Sequence, residues 1–187
     1  ALEACDFECR TWIDPCLFVI SPKVICCVYC DDSLFMAKNR SDIDEVLAKL
    51  KDQQDLTLEV ESDIAGFLGV DIDRSNPDGL ISLVQDGLAK RIVDALGLHD
   101  ATPVDTPATG PLVKDEDGEA GHATYSYASV VGMLSYYTGH TRPDLAFATS
   151  QVCRYVHSPK RSHELALERI GRYIKGTIHQ GLVFKPS

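Results

Sequence analysis

The 187-residue chain has no apolar run approaching the roughly 20 residues of a membrane-crossing helix, so no membrane span is expected. It has no G-x-x-x-x-G-K-S/T phosphate loop, for which Gly66 and Gly69 are no substitute, and no G-x-S-x-G nucleophile elbow. No histidine precedes His99, so Cys26, Cys27 and Cys30 have no imidazole nearby in sequence. On a strand Cys26 and Cys30 face one way and Cys27 the other, which favours small buried residues over a zinc site. The charged start, "ALEACDFECR", resembles neither a signal peptide nor a transit peptide. Seven cysteines, an odd number without a secretory signal, point to free thiols in a reducing, intracellular compartment. An initiator methionine is also lacking, so a fragment or a processed product is expected.

Positive charge is scarce, at 18 Lys and Arg against 28 Asp and Glu. Residues 150–187 carry seven Lys/Arg against Glu164 and Glu168, a net of +5, which leaves −15 for residues 1–149. The chain as a whole should not attract nucleic acid. The exception is the basic C-terminal helix, where Arg169, Arg172 and Lys175 recur every three residues and are candidates to track a phosphate backbone. The competing reading is a solvated face whose cations suit the helix C-terminus. His157 and His163 flank a turn and could bind metal, but surface or capping roles are the expectation.

What is present reads as α+β. Residues 16–20 ("CLFVI") and 24–30 are strands joined by a turn at Ser21-Pro22-Lys23, the second apolar on both faces. Asp31-Asp32 is expected to form the tight turn to a return strand at 33–37. Ser41 opens a helix with Ile43, Val46, Leu47 and Leu50 on one face. Strands are expected at 56–60 and 67–73, the latter in a hairpin with 80–84 across Asn76-Pro77-Asp78-Gly79. A helix spans about 86–96 and is capped by Gly97. Residues 100–124, rich in Thr, Pro, Gly and acid, read as a long connection between lobes. Three helices follow, at 127–137, from Pro143, and from Ser162 to Gly176, the last with Leu165, Leu167, Ile170 and Ile174 inward; a strand "GLVF" ends the chain. The expected organisation is therefore 1–99, a connection at 100–124, and a helical lobe with a terminal strand at 125–187. The Tyr and Phe residues of 125–147 lie at helical spacing and read as core rather than a base-stacking platform.

The sharpest feature is "VICCVYCDDSLFMAKN", residues 24–39. Two adjacent carboxylates at the end of a hairpin with apolar arms are held at a fixed height above a sheet. Either they are a solvated acidic turn, or they receive a cation. Mg²⁺ takes one or two carboxylates together with phosphate oxygens, the arrangement of two-metal phosphoryl transfer.

"VYCDD" resembles the Tyr-x-Asp-Asp hairpin of reverse transcriptases, and the likeness extends in order along the chain to one branch, the copia-type LTR retrotransposons. It is carried by "DPCLFVI" (14–20), "FLGVDIDR" (67–74), "GLISLVQDGLAKRIVDALGL" (79–98), "VDTP" (104–107), "YSYASVVGMLSYYTGHTRPDLAFATSQVCRYVHSP" (125–159) and "HELALERIGRYIKGT" (163–177). The resemblance implies an incomplete reverse-transcriptase palm with the start of a thumb in 1–99, and a thumb/connection-like lobe in 125–187. It implies that Asp31 and Asp32 are catalytic ligands of Mg²⁺, that Tyr29 sits beside the primer end, and that Cys30 stands at the variable position.

The chain also departs from that pattern. The family's third carboxylate lies well upstream of the hairpin. Asp6 and Asp14 are the only upstream aspartates, and neither sits in that motif. Fingers and RNase H segments are not represented. The expectation is a polymerase segment that is not catalytically competent alone and binds Mg²⁺ weakly or not at all. The alternative is a retroelement-derived, non-catalytic structural or interaction subunit. Its acidic 1–149 region would be drawn to basic protein surfaces, and strands 16–20 and 24–30 would present an unpaired edge or a bare apolar face.

Overall fold

Period-two patterning builds the first sheet. In the computed structural model, which describes residues 2–10, 12–20, 23–54, 57–61 and 66–185, the fold is α+β, with two antiparallel sheets and five α-helices. The chain forms two compact units, residues 1–63 and 64–187. The division expected at 100–124 is therefore not found; that stretch belongs inside the second unit.

In the first unit β1 (Glu8–Cys9), β2 (Leu17–Ile20), β3 (Val24–Tyr29) and β4 (Asp32–Ala37) pair in sequence order. The register places Phe18, Cys26 and Phe35 side by side, with Ile20, Val24 and Ala37 as the next row. This face joins Val46 and Leu50 of α1 (Arg40–Gln54), and Cys5 and Phe7 of the N-terminal segment, in one core. The opposite face exposes Ile25, Tyr29 and Met36. β3 is thus central but buried on one side only. The bare apolar face expected of these strands is present, whereas the sheet edges fall to β1 and β4. Helix α1 starts at Arg40, one residue before Ser41. Residues 57–61 form no strand, and Leu56, Ser21 and Pro22 lie outside the described residues.

In the second unit β5 (Gly66–Phe67), β6 (Val70–Asp73), β7 (Ile81–Val84) and β8 (Leu182–Phe184) form the other sheet. The predicted 67–73 strand is two strands, because Leu68 and Gly69 both take positive φ (52° and 71°) and turn the chain between paired Phe67 and Val70. The predicted hairpin with 80–84 forms as β6–β7. Gly181 lets β8 join this sheet: a Cβ there would lie 2.0 Å from the Leu83 carbonyl oxygen.

Helices α2 (Asp86–Ala95), α3 (Tyr127–His140), α4 (Ala146–Cys153, entered through a 3-10 turn at Pro143–Leu145) and α5 (Arg161–Gly176) bury one core built on Ile92, Leu134, Tyr137, Leu145, Leu167, Ile170 and Ile174. Gly97, at φ 65°, ends the α2 segment as expected. Leu165 was expected inward and is instead exposed; the inward stripe of α5 runs through His163, Glu164, Leu167, Ile170, Gly171 and Ile174. Of the aromatics in 125–147, Tyr127 and Tyr137 are core while Tyr136 and Phe147 are exposed. No helix among the described residues is long and apolar enough to cross a membrane.

Candidate functional site

The strand pairing fixes the geometry of the acidic hairpin. Tyr29 pairs with Asp32, so the two-residue turn is Cys30-Asp31, and Asp32 already belongs to β4. The turn is one residue earlier than the sequence suggested, because the register of two apolar arms sets it and not the acidity of the dipeptide. Cys30 takes φ 51°, and the positive value at the first central residue is where such turns ordinarily use glycine. Cys30→Gly is therefore expected to stabilise the first unit by about 0.5–1 kcal/mol, read as a higher urea midpoint. A lower midpoint would contradict the left-handed conformation at Cys30.

Cross-strand partners share a face, so Asp32 lies with Tyr29 on the side of the sheet away from α1. Asp31 and Asp32 are exposed, and neither carboxylate takes a hydrogen bond or ion pair among the described residues. Their lone pairs are open to a cation. Among the described residues, however, no group of three or more His, Cys, Asp or Glu comes together as a metal site. The hairpin thus offers two of the oxygen ligands that Mg²⁺ would need.

The cysteines beneath are held as neutral thiols. All seven are free. Burial, with some help from Cys27, pushes the Cys26 thiol up to about 12. Burial, then the Asp14 carboxylate, raises that of Cys27. Both stay protonated at neutral pH, and the thiolate is the ligand form. Asp14 itself accepts the Cys16 N–H at 2.7 Å as a local turn.

The basic row of α5 faces its own chain. Arg169 Nη2 donates to Thr106 Oγ1 at 2.9 Å, and Arg172 Nε to the Thr102 carbonyl at 2.6 Å. Lys175 Nζ donates to the carbonyls of Ala101, at 2.9 Å, and His99. The 99–113 segment has no strand or helix, so its carbonyls need partners, and these side chains supply them. Arg169, Arg172 and Lys175 are thereby each hydrogen-bonded within the second unit while remaining half-buried.

The same strap is fastened further along. His163, buried against the Tyr155 ring at 3.9 Å, contacts the Val113 carbonyl through Nε2 at 2.9 Å and accepts the Lys160 N–H at Nδ1, the capping role expected of it. Glu164, only 3% exposed, accepts the N–H groups of His122 and Ala123, both at 2.9 Å, and Arg161 Nη1 at 3.0 Å. Gly121 permits that approach, since a Cβ there would stand 2.3 Å from Glu164 Oε1.

Sequence reasoning missed two further polar residues that organise this unit. Gln85, buried just before α2, donates to the Gly69 carbonyl at 3.1 Å and accepts Thr141 Oγ1 at 2.8 Å. Arg142, 1% exposed, grips Asp144 with Nε at 2.9 Å and Nη2 at 2.8 Å, and lies 5.5 Å from the ring centres of Tyr137 and Tyr173. The available signal was position. Glu164 precedes Leu167 by three on the inward stripe, and Arg142 lies between two apolar helices.

Comparison with known proteins agrees with this segment-by-segment likeness. The chain is 30% identical over 193 residues to the retrovirus-related Pol polyprotein from transposon TNT 1-94 of Nicotiana tabacum, covering 95% of this chain and 14% of that polyprotein. It is 32% identical over 159 residues to the Pol polyprotein from transposon RE2 of Arabidopsis thaliana, 84% of this chain and 11% of the relative. An uncharacterized mitochondrial protein of the same plant is 36% identical over 116 residues, 62% of this chain and 47% of its own length. No protein-family model matches the chain, and no solved structure matches it significantly. Over nearly its whole length, then, this chain belongs to the copia-type retrotransposon Pol polyproteins and corresponds to a small segment of them.

Proposed function

We propose that this chain is the hairpin-bearing segment of a copia-type RNA-directed DNA polymerase. In this reading residues 1–99, with the sheet β1–β4 and α1, are palm with the start of a thumb, residues 125–187 are a thumb/connection-like lobe, and Asp31 and Asp32 contribute two ligands to a Mg²⁺ site. The supporting observation is the hairpin itself: two adjacent, exposed carboxylates without partners among the described residues, at the end of a four-stranded sheet held in register by a buried core. Bound Mg²⁺ would supply charge stabilisation for the phosphoryl oxygens and a more acidic primer hydroxyl. The chain's own part is to hold the two carboxylates at the hairpin end, with Tyr29 beside Asp32 on the same face. The remaining ligands come from elsewhere, so the 187 residues alone do not polymerise.

Two measurements test this. Mn²⁺, as a paramagnetic stand-in, is expected to broaden the amide signals of residues 29–33 at millimolar concentration, and Asp31→Asn with Asp32→Asn to abolish the effect. Unbroadened signals would remove the metal reading. The purified chain is expected not to extend a primer on an RNA template. Template-dependent incorporation lost in Asp32→Ala would overturn the claim that it is incompetent alone.

A second reading, a non-catalytic interaction subunit, draws on the exposed Ile25, Tyr29 and Met36 face and on Trp12, 79% exposed in the β1–β2 loop. Sedimentation at low and high salt separates it from the first, since a chain that stays monomeric and recruits no protein gives it no support.

A further inference from the structure

The guanidinium of Arg169 has a half-used edge. Its Nη2 donates to Thr106 Oγ1 at 2.9 Å, while the neighbouring Nε is buried and has no hydrogen-bond partner. The matching edge of Arg142, in the same unit, is filled on both nitrogens by the two oxygens of Asp144, at 2.9 and 2.8 Å. The single Thr106 hydroxyl oxygen engages only one nitrogen of this fork; the paired oxygens of a carboxylate or a phosphate match both. The group opposite Arg169 is the exposed hydroxyl of Thr106, which is followed by Pro107 in a stretch without helix or strand. Arg172, one turn further along α5, adds a second cation on the strap side, bonded to the Thr102 carbonyl.

We propose that Thr106 is a phosphorylation site for a proline-directed protein kinase, and that Arg169 is the built-in receptor for the phosphate. The substrate is the Thr106-Pro107 dipeptide, and the co-substrate is a nucleoside triphosphate carried by the kinase. Thr106 Oγ attacks the terminal phosphorus; the new Oγ–P bond forms as the bond to the bridging oxygen breaks. The nucleoside diphosphate departs, and the hydroxyl proton passes to the kinase's base. The strap segment has no strand ladder to unpair; to read Thr106-Pro107 extended, the kinase opens the Thr106–Arg169 hydrogen bond and lifts the neighbouring Ala108 off the core.

Once transferred, the phosphate brings three acceptor oxygens and close to two negative charges. One oxygen keeps the Nη2 bond and a second reaches the orphaned Nε, so the modification tightens the strap against α5. Thr102-Pro103 and Ser158-Pro159 have the same dipeptide chemistry and serve as internal controls.

The test uses the whole chain with a proline-directed kinase and ATP, read by site-resolved mass spectrometry and by amide hydrogen exchange. Phosphate is expected on Thr106, with exchange over residues 102–110 slowed by about tenfold. Thr106→Ala is expected to abolish both effects. Arg169→Lys, which keeps the charge and loses the fork, is expected to be phosphorylated normally without the slowing. Phosphate on Thr102 or Ser158 but not on Thr106, slowing that survives Arg169→Lys, or faster exchange after modification at Thr106 would each overturn the proposal.

Discussion

Replacing Arg142 with alanine is expected to destabilise the second unit by about 3–5 kcal/mol, the range for breaking one partner out of a buried ion pair. Arg142 is almost wholly enclosed and makes five hydrogen bonds: two to Asp144, one to Tyr137 Oη at 3.2 Å, and two to Thr177, at its carbonyl (3.0 Å) and Oγ1 (2.9 Å). These join the loop after α3 to the C-terminus of α5. Burial alone would pull the guanidinium's pKa down, but the Asp144 and Tyr137 bonds outweigh it and leave the pKa raised. Truncation strands the Tyr137 hydroxyl and the Thr177 carbonyl and opens a hole between two tyrosine rings. Because the Asp144 side chain is 40% exposed and keeps some water, the lower half of the range is the better expectation. A denaturant titration reads the loss, and Arg142→Lys should recover only part of it, since an ammonium cannot fill the fork. A loss under about 1 kcal/mol for Arg142→Ala would mean that the clasp contributes little.

Glu164→Ala is the second large effect, expected to cost about 3 kcal/mol because two backbone N–H groups lose a charged acceptor at once. Burial pushes the Glu164 carboxyl up, but the His122 and Ala123 N–H groups and Arg161 more than offset it and hold it below the usual range. The folded pKa therefore lies beneath the unfolded one. The stabilisation is complete above the unfolded carboxylate value, about 4.3, and is lost as pH falls through the folded one. The strap at 119–123 should accordingly loosen in acid before the core does. Amide exchange at His122 and Ala123 against pH reads this directly, and Glu164→Gln should flatten the profile. An unchanged acid limb in the Gln variant would assign the pH dependence to another group.

Local pattern carried much of the second unit. The stripe of α2, the Gly97 cap, the Asn76–Gly79 turn and the 3-10 turn at Pro143 that leads into α4 all follow from side-chain period and backbone preference, which act over a few residues. The same holds for the existence of the acidic hairpin in the first unit, and the ordered motifs placed the chain among copia-type Pol proteins before any coordinate. What local pattern could not supply was pairing at a distance. The α5 cations bond to residues 63–76 positions away, so their spacing along the helix says nothing of what they hold. The turn register at Cys30-Asp31 depends on how both arms pair, and a slip of one residue would exchange their faces. Leu165 satisfied a helical repeat yet faces out, because the inward stripe is set by where α2 and α4 pack, not by apolarity alone. Sequence alone determined the family, most of the helices and hairpins, and the carboxylate pair; the tertiary structure alone decided which charges remain open. Asp31 and Asp32 do, whereas Arg142 and Glu164 are enclosed and the half-buried α5 cations are hydrogen-bonded by groups distant in sequence, since desolvation and hydrogen bonding are properties of the folded neighbourhood.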